Sequence, residues 1–268
     1  MTQRRASQRV DVRLLGRLDV SVRGLPVRIS GRQAQALFAF VTMNRILHSR
    51  ECLAATLWPE IEASSASLRQ SLWLVRNAFA AAGIDPNDLF VVEPDTVGLR
   101  HDAPVRLDIS GFEAALAVRP PDPETAVRLY RGDLADGLGH DCFASERERL
   151  SDLYEDALAL VGQRRLAIDD LDGARYAADR LLARDPLREE AHAVLISVYG
   201  ANGTRSQVVR QYRRLREILR RELEVDPLPE TEAVYRAAMS RAVEDSRRRA
   251  ASEAFAPRPF APALVAQG

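Results

Sequence analysis

The sequence predicts a mainly α-helical protein with a small β component near its N-terminus. Apolar and polar residues alternate in short runs within residues 12–29, which is typical of strands. From residue 109 to residue 245, apolar residues instead recur every three to four positions, which indicates amphipathic helices. A chain of 268 residues suits two modest domains better than one large core. We therefore predict one domain over residues 11–108 and a second over residues 109–245, between disordered ends at residues 1–10 and 246–268.

The first domain begins with short strands. Apolar residues alternate along residues 12–22, with Gly16 as an interruption. Gly24 then turns the chain into a third apolar run at residues 27–29.

Two helices follow these strands. Residues 31–43 carry their apolar side chains on one face, which a core would cover: Ala34, Leu37, Phe38 and Val41. After a short turn, Ser49 begins a second helix that continues to residue 57 and ends at Trp58 and Pro59.

A third helix is predicted over residues 64–83, where Gly83 supplies the left-handed residue that ends it. One stripe of this helix is apolar and faces the core: Leu68, Leu72, Val75 and Phe79. The opposite face carries amides, arginines and small polar groups, which suits a helix in a DNA major groove; the alternative is an ordinary surface helix.

The runs at residues 89–92 and 97–100 then predict a β-hairpin. Strands, three helices and a hairpin in this order predict a winged helix-turn-helix.

The outward residues of this fold are the candidate DNA contacts, and for each the alternative is a solvated surface residue. On the third helix, arginine can read guanine and amides can read adenine, and the candidates are Arg69, Gln70, Trp73, Arg76 and Asn77. Trp73 has a second alternative, which is to pack inward against the hairpin. Candidates for phosphate or minor-groove contact lie at helix starts, at the turn between the first two helices and on the hairpin: Ser65, Ser67, Arg32, Arg45, Arg50, Thr96 and Arg100.

Charge distinguishes the two domains. Residues 1–82 carry twelve arginines against five acidic residues, whereas residues 111–245 carry twenty arginines against twenty-six acidic residues. An anionic partner is therefore expected for the first domain only, and the second domain is expected to have no affinity for DNA.

The second domain reads as stacked helical hairpins. Its helices are predicted to break at Asp172-Gly173, at Asp185-Pro186 and at Asn202-Gly203. Their lengths fit a degenerate, tetratricopeptide-like all-α repeat of about thirty-four residues.

Several segments resemble a known family. The segments VDVRLLGRLDVSVRGLPVRISGRQAQALFAF, LAATLWPE and ASLRQSLWLVRNAF resemble the winged-helix DNA-binding domain of the Streptomyces antibiotic regulatory proteins, which are actinobacterial transcriptional activators. The segments ASERERL, ARDPLREEAH and REILRRELEVDPLPETEAVYRA are similar to the bacterial transcriptional activator domain that follows it. The resemblance covers roughly residues 12–242. This chain has WLVRN where many members are polar or basic.

The resemblance implies a transcriptional activator that binds direct repeats in double-stranded promoter DNA. It also implies a homodimer on DNA, with protomers arranged head to tail, and contact with RNA polymerase through sigma or another subunit. The alternative is a protein-interaction module of helical repeats whose degenerate winged helix does not bind DNA.

No catalytic or metal-binding motif is recognised, so an enzyme, a cofactor and a metal site are not expected. A phosphate-binding P-loop requires a lysine, and this chain has none. The four histidines lie far apart in the sequence. Without a signal peptide or an apolar run of membrane-spanning length, a cytoplasmic location and no membrane partner are expected. Cys52 and Cys142 are then expected to be small buried apolar residues.

Overall fold

The computed structural model describes residues 9–60 and 64–254. Contacts divide the chain into two compact units, Met1–Ala157 and Leu158–Gly268. The fold class predicted from the sequence, mainly α with a small β component, is confirmed. Most of the predicted disordered N-terminus, and the part of the predicted disordered tail that follows residue 254, lie outside the described residues.

The described strands are short. In chain order they are β1 (Val10–Arg13), β2 (Asp19–Val22), β3 (Leu25–Pro26), β4 (His48–Ser49), β5 (Phe90–Val92), β6 (Thr96–Leu99) and β7 (Val105–Leu107). The described helices are α1 (Arg32–Met43), α2 (Arg50–Leu57), α3 (Ser64–Ala81), α4 (Pro86–Leu89), α5 (Asp108–Ala117), α6 (Pro123–Leu129), α7 (Ala144–Ala167), α8 (Leu171–Arg184), α9 (Glu189–Ala201), α10 (Arg205–Glu222) and α11 (Pro229–Ala254).

A four-stranded sheet of order β3-β2-β1-β7 opens the first unit. β1 pairs antiparallel with β2 and parallel with β7, so that Val10 stands opposite both Val22 and Val105. Residues 27–29, predicted to be a strand, form none, although Val27 and Ile29 are buried. The sheet is completed instead by β7, whose three residues are too few to show a strand pattern in the sequence.

The three helices predicted for the first domain are present at nearly the predicted positions. The backbone N–H of Cys52 donates to Ser49 Oγ over 3.0 Å, so Ser49 caps α2 as the sequence indicates. α2 ends with Trp58 as its C-cap. α3 ends at Ala81, and Gly83 has φ +77°, the left-handed conformation that glycine adopts without strain.

The wing is a three-stranded sheet of order β4-β6-β5. β5 and β6 are the predicted hairpin, and β4 adds the turn after α1 to it, with His48 opposite Val97. Gly98 makes this packing possible, because a Cβ there would lie 2.5 Å from Ile46 O and 3.2 Å from Leu47 Cα. Backbone approaches backbone at this point, which only glycine permits.

Asp108 joins the end of β1 to the start of α5. Its carboxylate accepts the backbone N–H groups of Leu14 and Leu15 over 2.9 and 3.0 Å, and also that of Ile109. Burial raises the pKa of this carboxyl above its ordinary value, although the three N–H donors act in the opposite direction.

The first unit continues well past residue 108. Gly16 N–H donates to Asp133 O over 3.1 Å, and Ala135 N–H donates to Leu14 O over 2.8 Å. Tyr130 and Tyr154 stack with ring centroids 4.1 Å apart. The boundary predicted between residues 108 and 109 therefore lies inside the first compact unit.

The second unit consists of helices joined by short turns. Asp170 caps α8 by accepting the Gly173 N–H over 2.9 Å, which places Asp172-Gly173 inside the helix. The break predicted there is wrong, and the chain instead turns at residues 168–170, where Asp169 has φ +62°. Asp185-Pro186 and Asn202-Gly203 do separate helices, as predicted.

α9 and α11 cross at very short range. A Cβ on Gly200 would lie 2.7 Å from Ala238 Cβ, so this crossing depends on the absence of a side chain. Ile196, Val208 and Ala238 form the buried cluster around it. α11 continues to Ala254, so residues 246–254 are helical where disorder was predicted.

A buried polar pair joins α9 to α10. His192 is 1% exposed, its Nε2 lies 3.1 Å from Pro186 O, and Gln211 Nε2 lies 2.9 Å from its Nδ1. This arrangement fits a neutral imidazole that donates from Nε2 and accepts at Nδ1. Burial is the main reason that the pKa of His192 is lowered; nearby Arg214 also lowers it, whereas the Pro186 carbonyl and Glu189 raise it.

Candidate nucleic-acid interface

The inner face of α3 is held by the core of the first unit. Leu68, Leu72, Val75 and Phe79 are buried, as their helical spacing predicts, and Ser71 is buried with them. The Phe79 ring lies 5.3 Å from that of Phe38 on α1, measured between centroids. These contacts fix the rotation of α3 about its axis and so determine which residues face outward.

The outer face of α3 presents four large polar or aromatic side chains. Arg69, Gln70, Trp73 and Asn77 are all exposed. Within residues 9–60 and 64–254, no hydrogen bond or ion pair engages Arg69, Gln70 or Asn77. Donors and acceptors of the kind that read base edges are therefore available on one face of a rigidly packed helix.

Arg76 differs from this group. It is only half exposed, and its Nη2 donates to Asn87 Oδ1 over 3.0 Å. Asn87 N–H is itself bound to Asp85 Oδ1 over 2.9 Å, at the start of α4. Arg76 thus connects α3 to the segment that leads into the wing.

Trp73 and Leu74 have different surroundings. Trp73 is 62% exposed, which excludes the inward packing left open from the sequence. Leu74 is half-buried beside Gly31, where a Cβ would lie 3.7 Å from Leu74 Cδ1. Only the tryptophan therefore adds a large apolar surface to the outer face of α3.

Three candidate groups lie around the first turn of α3 and the first turn of α1. Ser65 is exposed and Ser67 is half-buried. Arg32 is exposed in the first turn of α1, whose N-cap, Gly31, supplies no side-chain hydrogen bond. Backbone N–H groups at such a helix start remain available to an anion.

Arg45 and Arg50 contact the protein's own backbone. The Arg45 guanidinium donates to Val105 O in β7, and Arg50 Nε donates to Glu93 O over 2.9 Å. Both carbonyls lie far along the chain from their arginines, so no local sequence pattern indicates these bonds. The two side chains thereby hold the helix-turn-helix against β7 and the wing.

The wing candidates are engaged in the same way. Thr96 Oγ1 donates to Glu93 Oε2 over 3.0 Å, and Arg100 Nε lies 3.1 Å from Asp102 Oδ1. The tip residues Glu93, Pro94 and Asp95 are exposed. An acidic tip disfavours deep insertion between phosphates.

Sequence reasoning missed two exposed apolar residues in the turn between α1 and α2. Ile46 is 64% exposed and Leu47 is 50% exposed, and both lie next to Gly98 of the wing. Two consecutive large apolar residues in a turn bounded by Arg45 and His48 are the signal that could have identified this patch.

Features that could indicate another kind of site are a cluster of metal ligands, a reactive cysteine and a membrane-spanning helix. Among the described residues, no group of three or more His, Cys, Asp or Glu side chains is placed to hold a metal ion. Burial raises the pKa of the half-buried Cys142 thiol to about 11, whereas Cys52 is exposed, contrary to its predicted burial. None of the described helices combines the length and the apolar character that a membrane span needs.

Comparison with known proteins adds a family match and a fold match. The family described as bacterial transcriptional activator domain matches residues 113–239. The transcriptional regulatory protein MoaR1 of Mycobacterium tuberculosis strain H37Rv is 24% identical over 246 residues, covering 84% of this chain and 78% of MoaR1. The transcriptional regulatory protein EmbR of the same strain is 26% identical over 266 residues, covering 92% of this chain and 68% of EmbR.

The solved structure of Mycobacterium tuberculosis EmbR, in complex with a low affinity phosphopeptide, has the same fold. It superposes with a TM-score of 0.69 at 23% identity, covering 92% of this chain and 70% of the EmbR chain. Both named relatives are transcriptional regulatory proteins, and the matched family is a transcriptional activator domain rather than an enzyme family.

Proposed function

From the premise that this chain is a transcriptional regulator of the Streptomyces antibiotic regulatory protein family, we propose that it activates transcription by binding promoter DNA through α3. The observation that carries the proposal is the outer face of α3. Its inner face is buried in the core, while Arg69, Gln70 and Asn77 are exposed and make no hydrogen bond to described residues.

Arg69 and Gln70 are the base-reading residues in this proposal. They are adjacent in the first half of α3, where a recognition helix meets base edges. Asn77 and Trp73 extend the contact along the same face, and Trp73 offers its ring to a thymine methyl or a sugar.

Ser65, Ser67 and Arg32 are proposed to contact phosphate. Hydroxyls, an arginine and an uncapped helix start are the usual donors to the sugar–phosphate backbone, and such contacts position the helix without reading sequence.

The remaining candidates are proposed to position the interface. Arg45, Arg76, Thr96 and Arg100 each bond to the protein itself, so their first role is to fix the turn, the start of α4 and the wing. Arg50 uses only Nε for Glu93 O among the described residues, which leaves its terminal amino groups as phosphate donors.

We propose a homodimer on DNA, in which two protomers bind direct repeats head to tail, and contact between the helical part of the chain and RNA polymerase. Sites one helical turn apart present the same face of the duplex, so identical protomers can bind side by side. This function places the protein in the cytoplasm, where the promoter lies.

Fluorescence anisotropy with a promoter duplex and a scrambled duplex tests the assignment. Arg69→Ala and Gln70→Ala are expected to weaken binding to the promoter by about 1–3 kcal/mol and to leave the scrambled duplex nearly unaffected. Arg32→Ala is the matched control, because a residue that binds phosphate contributes to both duplexes alike.

Two results would count against the proposal. Equal losses on both duplexes for Arg69→Ala would assign that residue to phosphate. If the full chain shows no salt-sensitive binding to any promoter fragment, including the region upstream of its own gene, the protein is an interaction module of helical repeats.

A further inference from the structure

The acidic character of the helical half of the chain is unevenly distributed. Residues 111–157 carry five arginines against eleven acidic residues. Residues 158–245 carry fifteen of each. The negative charge that was expected to repel DNA from the whole region therefore belongs to the first unit, and the second unit has no net charge over this range.

Within the second unit, positive charge is concentrated on α10. This helix carries seven arginines and two glutamates. Its inner positions are Val208, Gln211, Leu215 and Leu219, which are buried. At about 100° per residue, Ser206, Arg210, Arg213 and Glu217 share one narrow outward arc opposite them.

The three arginines nearest the end of α10 are paired. Arg220 Nη2 lies 2.9 Å from Asp226 Oδ1, Arg216 Nη2 lies 4.0 Å from the same atom, and Arg221 Nε lies 2.8 Å from Glu222 Oε1.

The arginines between residues 205 and 214 are different. Arg210, Arg213 and Arg214 are exposed within about 100° of one another around the helix axis, and we call them the arginine face. Arg205 is also exposed, on the opposite flank of the helix. Within the described part of the chain, no ion pair or hydrogen bond engages any of these four arginines. Residues 205–216 contain no acidic side chain, and Glu217 is the one acidic residue on the outward arc.

Arg205 is unfavourably placed for the helix. A helix N-terminus carries a partial positive charge, so acidic residues in the first turn stabilise it and arginines there do not. α10 has no acidic residue in its first turn and no side-chain cap. Of the unpaired arginines, only Arg205 lies in this first turn; Arg210, Arg213 and Arg214 lie further along the helix, where no acidic side chain among the described residues pairs with them.

We propose that the arginine face of α10 is a second DNA-binding surface, which contacts backbone phosphates without reading sequence. The partner it fits is a polyanion, and the exposed Ser206, one turn before Arg210 on the same side of the helix, adds the neutral hydroxyl donor that phosphate contacts commonly include. The inference rests on the proposed function, because a winged helix bound to promoter DNA holds the rest of the chain near the duplex at high effective concentration.

The salt dependence of DNA binding by the full chain tests this surface. The variant Arg210→Ala/Arg213→Ala is expected to reduce the slope of log K against log salt by about 2, which is roughly one unit for each phosphate that the variant no longer neutralises. The slope should fall by the same amount for the promoter duplex and for the scrambled duplex. The control, Arg175→Ala/Arg241→Ala, removes the same charge from exposed positions on α8 and α11 and should leave the slope nearly unchanged.

Melting by circular dichroism verifies that both double variants fold, and Arg213→Glu alone repeats the test with a single charge reversal. An unchanged slope in the α10 variants overturns the inference. So does unchanged DNA binding with a loss of in vitro transcription, since the face would then contact an acidic protein. Arg69→Ala measured in parallel reports on the winged helix, so failure of one surface is distinguishable from failure of the other.

Discussion

At the residue scale, Trp73→Ala tests whether the tryptophan packs into the core or contacts DNA. Because its side chain is mostly exposed, Trp73→Ala should leave the melting temperature within about 2 °C of the wild type, as expected for a surface change of about 0.5 kcal/mol. DNA affinity should fall, because the ring is on the face assigned to DNA. Thermal melts and anisotropy titrations measure the two quantities.

The buried neighbour Leu72 supplies the comparison for Trp73. Leu72→Ala removes core contacts and is expected to cost about 2–5 kcal/mol of folding stability. A comparable loss for Trp73→Ala would show that the tryptophan packs inward in solution.

His192 predicts a pH dependence of stability. Its pKa is lowered by burial from the ordinary value of 6.5, so the folded protein resists its protonation. Above pH 6.5, His192 is neutral in both the folded and the unfolded chain, so its contribution to the free energy of unfolding does not change with pH. As the pH falls below about 6.5, the unfolded chain takes up the proton first and stability declines, by at most about 1.4 kcal/mol per pH unit.

Urea unfolding of the wild type and of His192→Gln at pH 5, 6, 7 and 8 isolates this effect. The difference in unfolding free energy between the two proteins should narrow as the pH falls. A difference that stays constant over this range would mean that His192 is protonated equally in both states.

At the element scale, the wing depends on Gly98. An alanine Cβ there would lie 2.5 Å from Ile46 O, and backbone atoms cannot move away as a flexible side chain can. Gly98→Ala is therefore expected to destabilise the first unit by about 1–3 kcal/mol. The shift of the urea midpoint at constant slope measures this cost.

Gly111 is the matched control for Gly98. It lies in α5, and a Cβ there would meet only Leu129 Cδ1 at 3.4 Å. Because alanine favours helix over glycine by about 1 kcal/mol, Gly111→Ala should be neutral or stabilising. Equal losses for both variants would place the cause outside the contact between the wing and the turn.

The elements also show how far sequence reasoning reaches. The stripe Leu68, Leu72, Val75 and Phe79 was predictable because the period of a helix is local information. The bonds of Arg45 to Val105 O and of Arg76 to Asn87 were not, because each joins residues that only the fold brings together. The exposure of the outer face of α3 was therefore predictable, whereas the contacts of Arg45 and Arg76 within the protein were not.

At the scale of the whole molecule, the extent of the first unit predicts the smallest fragment that should fold stably and carry the proposed DNA-binding surface. A fragment ending at residue 108 lacks residues 133–135, whose backbone groups bond to Gly16 and Leu14. It also lacks the packed rings of Phe112, Tyr130 and Tyr154. A fragment ending at Ala167 keeps them and completes α7. We expect the longer fragment to unfold cooperatively and the shorter one to be markedly less stable.

Urea titrations followed by circular dichroism compare the two fragments with the full chain. The longer fragment should bind promoter DNA with a shallower salt dependence than the full chain, because it lacks α10. If the shorter fragment is as stable as the longer one, residues 109–167 are not needed for the folding of the winged helix, and the boundary predicted between residues 108 and 109 would hold.

The parallel pairing of β1 with β7 has a consequence for synthesis on the ribosome. β2 follows β1 within a few residues, but the partner for the other edge of β1 is translated only after the helices α1 to α4 and the wing. At about 5–20 residues per second, this edge waits on the order of 5–20 s with unpaired backbone groups. Slow translation across residues 14–104 would prolong that exposure, so the nascent chain is most prone to mispairing before Val105–Leu107 emerges.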